Sequence, residues 1–184
     1  MGTAQPARSY MTAPVFVDTN IFVYACQTGE SRKQPVASLW IERLWMEQLG
    51  RTSIQVLNEL HVTLTRKIQP PLSTDTAWDH VRQLLLWNPL PLNTEVLMRA
   101  RELASRHTLS WWDCLNVGAA QLQSCTILLT EDLQHQATYG GVTICNPFVL
   151  AVSEAPAAYH ITPIAISRHR PRGRPKLAKP ASTL

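Results

Sequence analysis

Four acidic residues of this chain lie in or beside apolar segments, where a charged side chain needs a partner: Asp18, Glu59, Asp113 and Asp132. Clustered carboxylates repel one another and raise one another's pKa values unless a cation lies among them. Mg²⁺ and Mn²⁺ prefer oxygen ligands, and a site of this kind can activate water and stabilise the charge of a phosphoryl displacement. If the fold brings the four acids together, their types predict a divalent metal site for phosphoryl chemistry.

Two of these acids follow apolar segments that are typical of buried strands. Asp18 ends the run VFVD and precedes a helix-like run, so it is also a candidate helix cap. Asp132, in ILLTEDLQ, could likewise cap the next turn. Its neighbour Glu131 is the weaker candidate ligand, because adjacent residues point in different directions.

Glu59 lies in the segment SIQVLNELHVTLTRK, with Val56 three residues before it and Val62 three residues after it. It therefore projects from a partly apolar stripe of a helix, where a carboxylate needs a partner. The sequence leaves two interpretations open, a metal ligand and a buried salt bridge to Arg66, Lys67 or another base.

Asp113 lies three residues after Ser110, a spacing that fits a helix capping box. Asn116 lies one turn further along the same helix face. These two are the only strongly polar side chains between Trp111 and Ala120, so the pair favours a site that faces the interior over a simple cap.

The intervening segments alternate between strand and helix patterns. Short apolar runs predict strands at 13–18, 126–130 and 141–145, and the Pro-rich segment 89–93 suits a brief edge strand. Apolar residues at three- and four-residue spacing predict helices at 35–49, 54–68, 74–87 and 94–106 and in the segment after Ser110. This alternation predicts an α/β domain with a mostly parallel sheet, whose strand ends would carry Asp18 and Asp132.

Composition narrows the class of protein. No apolar run approaches the roughly 20 residues of a membrane helix, and the first residues lack the apolar stretch of a secretory signal. We therefore expect a cytoplasmic protein with no membrane association.

The four cysteines (Cys26, Cys114, Cys125 and Cys145) form no CxxC pair and are best interpreted as buried free thiols.

The net charge of +4 is distributed unevenly. Residues 168–184 contain six of the 17 lysines and arginines and no acid, whereas residues 1–167 carry 11 bases and 13 acids. We expect a disordered lead at 1–13, one folded domain at 14–148, an extension at 149–167 and a disordered basic tail at 168–184.

Four segments, taken together, resemble the PIN-domain nucleases, specifically the VapC-like toxins of bacterial toxin–antitoxin pairs. They are VFVDTNIFVYA, QVLNELHVTLTRK, LSWWDCLNVGAAQLQSCTILLTEDLQ and GGVTICNPF, and they span about residues 14–148. The resemblance implies a PIN-like α/β/α sandwich and an endoribonuclease that depends on Mg²⁺ or Mn²⁺. It also implies that the catalytic and metal-binding positions are Asp18, Glu59, Asp113 and Asp132.

The same resemblance implies supporting residues and partners. Thr130 would help to shape the site, and Asn20 and Asn116 would support it. The implied partners are an RNA substrate, a cognate antitoxin that covers the active-site groove, and a second copy of the chain in a homodimer.

A haloacid-dehalogenase-like phosphatase is disfavoured, because it requires a second Asp at the position of Asn20.

The tail segment RPRGRPK resembles an AT-hook, which binds the narrow minor groove of A·T-rich DNA. Arg172 and Arg174 would enter the groove, Gly173 would allow a close approach, and Pro175 would keep the chain extended. The simpler interpretation is a basic tail that binds any polyanion weakly. The alternative function is therefore a non-catalytic DNA-binding or regulatory protein on a PIN scaffold.

Overall fold

The computed structural model describes residues 13–27, 29 and 31–149. Most of the predicted lead and extension, and all of the AT-hook-like tail with Arg172, Gly173, Arg174 and Pro175, lie outside these residues. The elements are β1 (Val15–Val17), α1 (Thr19–Cys26), α2 (Lys33–Glu47), β2 (Gly50–Arg51), α3 (Ile54–Arg66), α4 (Thr74–Leu84), α5 (Thr94–Arg106), α6 (Trp111–Leu122), β3 (Ile127–Leu129), β4 (Thr138–Tyr139) and β5 (Val142–Cys145).

The strands form one five-stranded sheet in the order β2-β1-β3-β5-β4. The β1 strand lies between β2 and β3 and is parallel to both, with Phe16 opposite Leu128, and β3 is parallel to β5. Only β4 is antiparallel to its neighbour. The predicted α/β architecture with a mostly parallel sheet is confirmed, and the carboxyl ends of β1 and β3 lie side by side.

The core surrounds the central strands. Every residue of β1 is completely buried, as expected for a parallel strand that is covered on both faces. In α6, all residues from Cys114 to Ala120 are buried, so this helix is as central as its apolar sequence predicted. The free-thiol prediction is also confirmed, since all four cysteines are free and at least partly buried.

The prediction of an edge strand at 89–93 was wrong. The structure has a single parallel bridge there, between Leu90 and Ser53. Leu90 donates its N–H to the Thr52 carbonyl and accepts from the Ile54 N–H, and the pairing extends no further because α3 begins at Ile54 and Asn88 has a left-handed backbone conformation. The helix expected at 74–87 ends as an α-helix at Leu84 and continues as one 3₁₀ turn.

The sequence analysis did not predict two short strands, β2 and β4. Each has only two residues, too few to show the alternation of apolar and polar side chains that marks a strand.

In the described part of the chain, no helix is long and apolar enough to cross a membrane.

Candidate active site

All four predicted acids line one cleft of about 430 Å³ at the carboxyl ends of β1 and β3. Asp18 follows β1 directly, and Asp132 lies three residues beyond the end of β3. Glu59 reaches the cleft from α3, and Asp113 reaches it from the first turn of α6. The structure therefore brings together side chains that are up to 114 residues apart in the sequence.

Asp18 is the most deeply placed of the four acids, with 6% of its surface exposed. Its Oδ1 accepts hydrogen bonds from the Thr19 backbone N–H at 2.7 Å and from the Asn116 side-chain amide at 2.9 Å. Its Oδ2 accepts from the Thr130 hydroxyl at 2.8 Å. Asp18 is also the N-cap of α1, so the cap interpretation and the site interpretation describe the same geometry.

Asn20 connects the two strand ends. Its amide nitrogen donates to Asp132 Oδ2 at 3.0 Å and to Thr130 Oγ1 at 3.1 Å. The backbone N–H of Asp132 also donates to Thr130 Oγ1, at 3.2 Å. Thr130, Asn20 and Asn116, which were predicted to support the site, therefore each hydrogen-bond to Asp18 or Asp132.

Glu59 is partly buried and hydrogen-bonded without an ion pair. It accepts from the Thr19 hydroxyl at 3.1 Å and from the Gln55 side-chain amide at 3.2 Å. Among the described residues, no base lies within ion-pair distance of it. The salt bridge to Arg66 or Lys67 is therefore not observed, and the carboxylate remains available at the cleft.

The cap at the start of α6 is present, as the spacing of Ser110 and Asp113 predicted. The hydroxyl of Ser110 accepts from the Asp113 backbone N–H at 3.1 Å and donates to Asp113 Oδ2 at 2.6 Å. One oxygen of this carboxylate is therefore oriented by the cap. Because Asp113 is only partly buried and lines the cleft, capping and a role in the site are compatible.

Burial raises the pKa of Asp18 from 3.8 to about 6. This value also includes the hydrogen bonds from Thr130 and Thr19, which lower the pKa in part, and the negative charges of Asp132 and Glu59, which raise it. A nearby cation would reverse this effect and favour the ionised carboxylate.

This raised pKa leads to a testable pH dependence. Because the folded protein binds a proton on Asp18 more tightly than the unfolded chain, this residue's favourable contribution to stability is present below its unfolded pKa and lost as pH rises through about 6. In metal-free protein, we expect Asp18→Asn to gain stability relative to the unsubstituted chain as pH rises from about 4 to about 7. Urea denaturation of both proteins across this range, with a chelator present, measures the difference, and a difference independent of pH would contradict the expectation.

The donor atoms around the cleft are suited to a hard cation. The candidate ligand atoms are carboxylate and amide oxygens, and two buried amide oxygens, Asn20 Oδ1 and Asn116 Oδ1, have no hydrogen-bond partner. In the described ranges, no three His, Cys, Asp or Glu side chains are close enough together to hold a metal ion. This arrangement fits Mg²⁺, which usually keeps several waters and takes one or two carboxylates together with substrate phosphates.

The sequence analysis missed a second cluster, which lies beside the cleft. Lys33 at the start of α2 donates to Glu131 Oε2 at 2.5 Å and to the Tyr24 hydroxyl at 2.9 Å, and Tyr24 also donates to Glu131. The Lys33 ammonium lies over the rings of Tyr24 and Phe148, at 4.3 and 5.3 Å from their centroids. Through these hydrogen bonds, Glu131 connects the segment that carries Asp132 to α1 and α2. No local sequence pattern predicts this role.

Comparison with known proteins identifies the family. Residues 15–141, more than half of the chain, match the family model described as PIN domain. The chain belongs to the PIN-domain family. Since PIN domains are nucleases, this assignment confirms the expected resemblance and supports a nuclease in general terms.

Among solved structures, the PIN fold of this chain is similar to that of VapC20 from Mycobacterium tuberculosis, described as a toxin that cleaves the sarcin–ricin loop. The TM-score is 0.50 at 20% sequence identity, and the match covers 74% of this chain and 94% of that chain. At this identity the match supports the fold alone. No curated protein sequence matches the chain.

Proposed function

We propose that this PIN protein is a metal-dependent endoribonuclease that acts as the toxin of a toxin–antitoxin pair. The observation that carries the proposal is the meeting of Asp18, Glu59, Asp113 and Asp132 in one cleft at the ends of two parallel strands. Capping alone explains Asp18 and Asp113, but it does not require all four carboxylates to face the same space.

The residues have distinct roles in this proposal. Asp18 and Asp113 are the principal candidates for holding Mg²⁺ or Mn²⁺, with Glu59 and Asp132 completing the acidic set through direct or water-mediated contacts. Asn116 fixes Asp18 through its hydrogen bond to Oδ1. When bound, the cation would supply a lowered pKa for the attacking water and charge stabilisation at the phosphoryl oxygens.

The four acids give the cleft a negative charge, which is unfavourable for binding RNA. Four carboxylates repel a phosphodiester, so the chain needs a cation at the cleft before a phosphate can approach. Burial raises the pKa of Asp18, and the negative charges of Asp132 and Glu59 raise it in the same direction. The same cleft, open at its rim, is where a cognate antitoxin would block access to RNA.

The test is cleavage of a mixed RNA pool by the purified chain, freed of any antitoxin. We expect cuts in the presence of Mn²⁺ or Mg²⁺ and none with a chelator. Because water is the proposed nucleophile, mapped ends should not include 2′,3′-cyclic phosphates, which arise when the 2′-hydroxyl attacks.

A matched pair of variants serves as the control for this test. Asp113→Asn should remove cleavage, whereas Asp79→Asn should retain it, because Asp79 is an exposed residue of α4 that pairs with Arg82 and does not line the cleft. A chain that leaves RNA intact with both metals would overturn the nuclease proposal. Cleavage without growth arrest on expression would overturn the toxin role alone.

The alternative of a non-catalytic DNA-binding protein is not favoured, because all four acids are present and meet in one cleft. Binding of A·T-rich DNA by the tail and a homodimer gain no support from the comparisons.

A further inference from the structure

The loop that carries Asp132 is held in place by side chains. Residues 130–137 connect β3 to β4 and contain no helix or strand. In the described part of the chain, no hydrogen bond between main-chain groups involves residues 131–133. Asp132 itself bonds to the side chains of Asn20 and Thr130. The position of this loop therefore depends on the contacts that its side chains make with other elements.

Glu131 anchors the loop outside the cleft. Its carboxylate accepts hydrogen bonds from the Lys33 ammonium at 2.5 Å and from the Tyr24 hydroxyl. Glu131 and Lys33 do not line the acidic cleft, whereas Asp132, the next residue of the loop, does. A displacement of Glu131 would move Asp132 as well, because a planar peptide unit joins the two residues.

Two aromatic rings hold the cation of this ion pair. The Lys33 ammonium lies over the rings of Tyr24 and Phe148, which contact each other edge to face with their centroids 5.3 Å apart. The side chains of Lys33 and Glu131 are 32% and 21% exposed, so solvent screens this pair less than an ion pair on an open surface. Lys33 at the start of α2 is therefore a fixed point to which Glu131 is attached.

We propose that Lys33 and Glu131 are positioning residues of the metal site. Their ion pair holds the loop so that the Asp132 carboxylate stays at the cleft and completes the acidic set around the divalent cation. Neither residue touches the cation or the substrate. This inference rests on the metal site of the proposed function and extends that site to an ion pair outside the cleft.

The loss of Lys33 has two effects on metal binding, and they have opposite signs. The removal of a cation near the acidic cleft makes the cleft more negative, which by itself strengthens the binding of Mn²⁺. The release of the loop weakens the binding, because residues that orient metal ligands typically contribute 10-fold or more to metal affinity. We expect the second effect to be larger at physiological salt, which screens charges that face solvent.

The test is the binding of Mn²⁺ alone to the full chain without RNA, with free Mn²⁺ measured by electron paramagnetic resonance. We expect Lys33→Met to raise the dissociation constant by about 10-fold. Arg43→Met is the matched control and should leave the dissociation constant unchanged. Arg43 lies in the same helix, forms an ion pair with Glu47 at similar exposure and does not line the cleft.

A double variant separates positioning from a general effect on folding. Asp132→Asn should itself weaken the binding of Mn²⁺. If Lys33 acts through Asp132, adding Lys33→Met to Asp132→Asn should change the dissociation constant by less than about 2-fold. A role in folding alone would weaken binding by the same factor with and without the Asp132 carboxylate.

Hydrogen exchange of the metal-free protein tests the position of the loop directly. Lys33→Met should speed the exchange of backbone amides at 131–133 and leave the exchange of α5 unchanged. In the cleavage assay, the same variant should raise the Mn²⁺ concentration for half-maximal rate by about 10-fold. The rate at saturating Mn²⁺ should change little, because the cation and its ligands are still present.

Three results would each contradict the positioning role: equal or tighter binding of Mn²⁺ by Lys33→Met, an equal loss of affinity in Arg43→Met, and an equal loss in the Asp132→Asn background. The absence of Mn²⁺ binding by the unsubstituted chain would contradict it too. If the chain still cleaves RNA with Mn²⁺, the proposed function survives all of these results. A chain that shows the expected Mn²⁺ effects but leaves RNA intact would lose the proposed function and keep the positioning role.

Discussion

Replacing Asp18 by Asn is expected to abolish RNA cleavage while leaving the protein folded. Asp18 is buried at the centre of the acidic cleft, and Asn keeps its size but removes the charge that would hold a cation. Loss of that charge should lower kcat/KM by about 1,000-fold, equivalent to about 4 kcal/mol of transition-state stabilisation. Initial cleavage rates with Mn²⁺, measured beside Asp79→Asn, give this difference.

Stability should move in the opposite direction to activity. A folded-state pKa of about 6 against 3.8 corresponds to about 3 kcal/mol of destabilisation when Asp18 is ionised at neutral pH. The Asn variant removes that cost because it carries no charge, and the pKa of about 6 already includes the lowering effect of the hydrogen bond from Thr130. We therefore expect the midpoint of thermal unfolding of metal-free Asp18→Asn to equal or exceed that of the unsubstituted chain.

A variant that is inactive and also unfolded at neutral pH would show that Asp18 acts mainly as the cap of α1. A folded variant that still cleaves RNA would remove Asp18 from the catalytic set. The expected combination, full loss of cleavage with unchanged or increased stability, is the one that a cap alone does not produce.

Replacing Gly50 by Ala is expected to destabilise the fold by about 2 to 3 kcal/mol, because it overpacks the edge of the sheet. A Cβ atom at this position would lie 2.5 Å from ring carbons Cζ2 and Cζ3 of Trp87. The Trp87 ring has little room to move, since it packs against Phe22 and Trp45 with centroids 5.7 and 5.3 Å away. The backbone of β2 is fixed by its pairing of Gly50 with Val15 in β1.

Urea denaturation of Gly50→Ala measures this cost, and Gly29→Ala is the matched control. No atom lies within 4 Å of a Cβ built at Gly29, so its substitution should change the free energy of unfolding by less than about 0.5 kcal/mol. A double variant with Trp87→Leu should cost less than the sum of the two single changes, because the smaller side chain makes room for the new methyl group. Additive costs would show that the Trp87 contact is not the cause.

Much of the fold could be predicted from local patterns. The buried strands β1, β3 and β5 and the helices α3, α5 and α6 follow from runs and periods that need no distant contact. The short strands β2 and β4 could not be predicted, since two residues acquire strand geometry only by pairing with a neighbour that is already in place. The prolines at 89 and 91 were visible, yet whether their segment would pair with another strand depended on tertiary contacts.

For the candidate site, too, some features could be predicted from the sequence and others could not. By itself, the sequence determined which residue types were available: four acids in apolar surroundings, two asparagines and Thr130. Only the tertiary structure decided their partners, because hydrogen bonds such as Asn116 to Asp18 join residues 98 positions apart. Packing likewise decided three other features: the cluster of Lys33, Tyr24 and Glu131, the exposure of Trp112, and the lack of a base beside Glu59 among the described residues. The physical reason is that local propensity acts over a few residues, whereas the burial and pairing of a charge depend on whatever the whole fold brings near it.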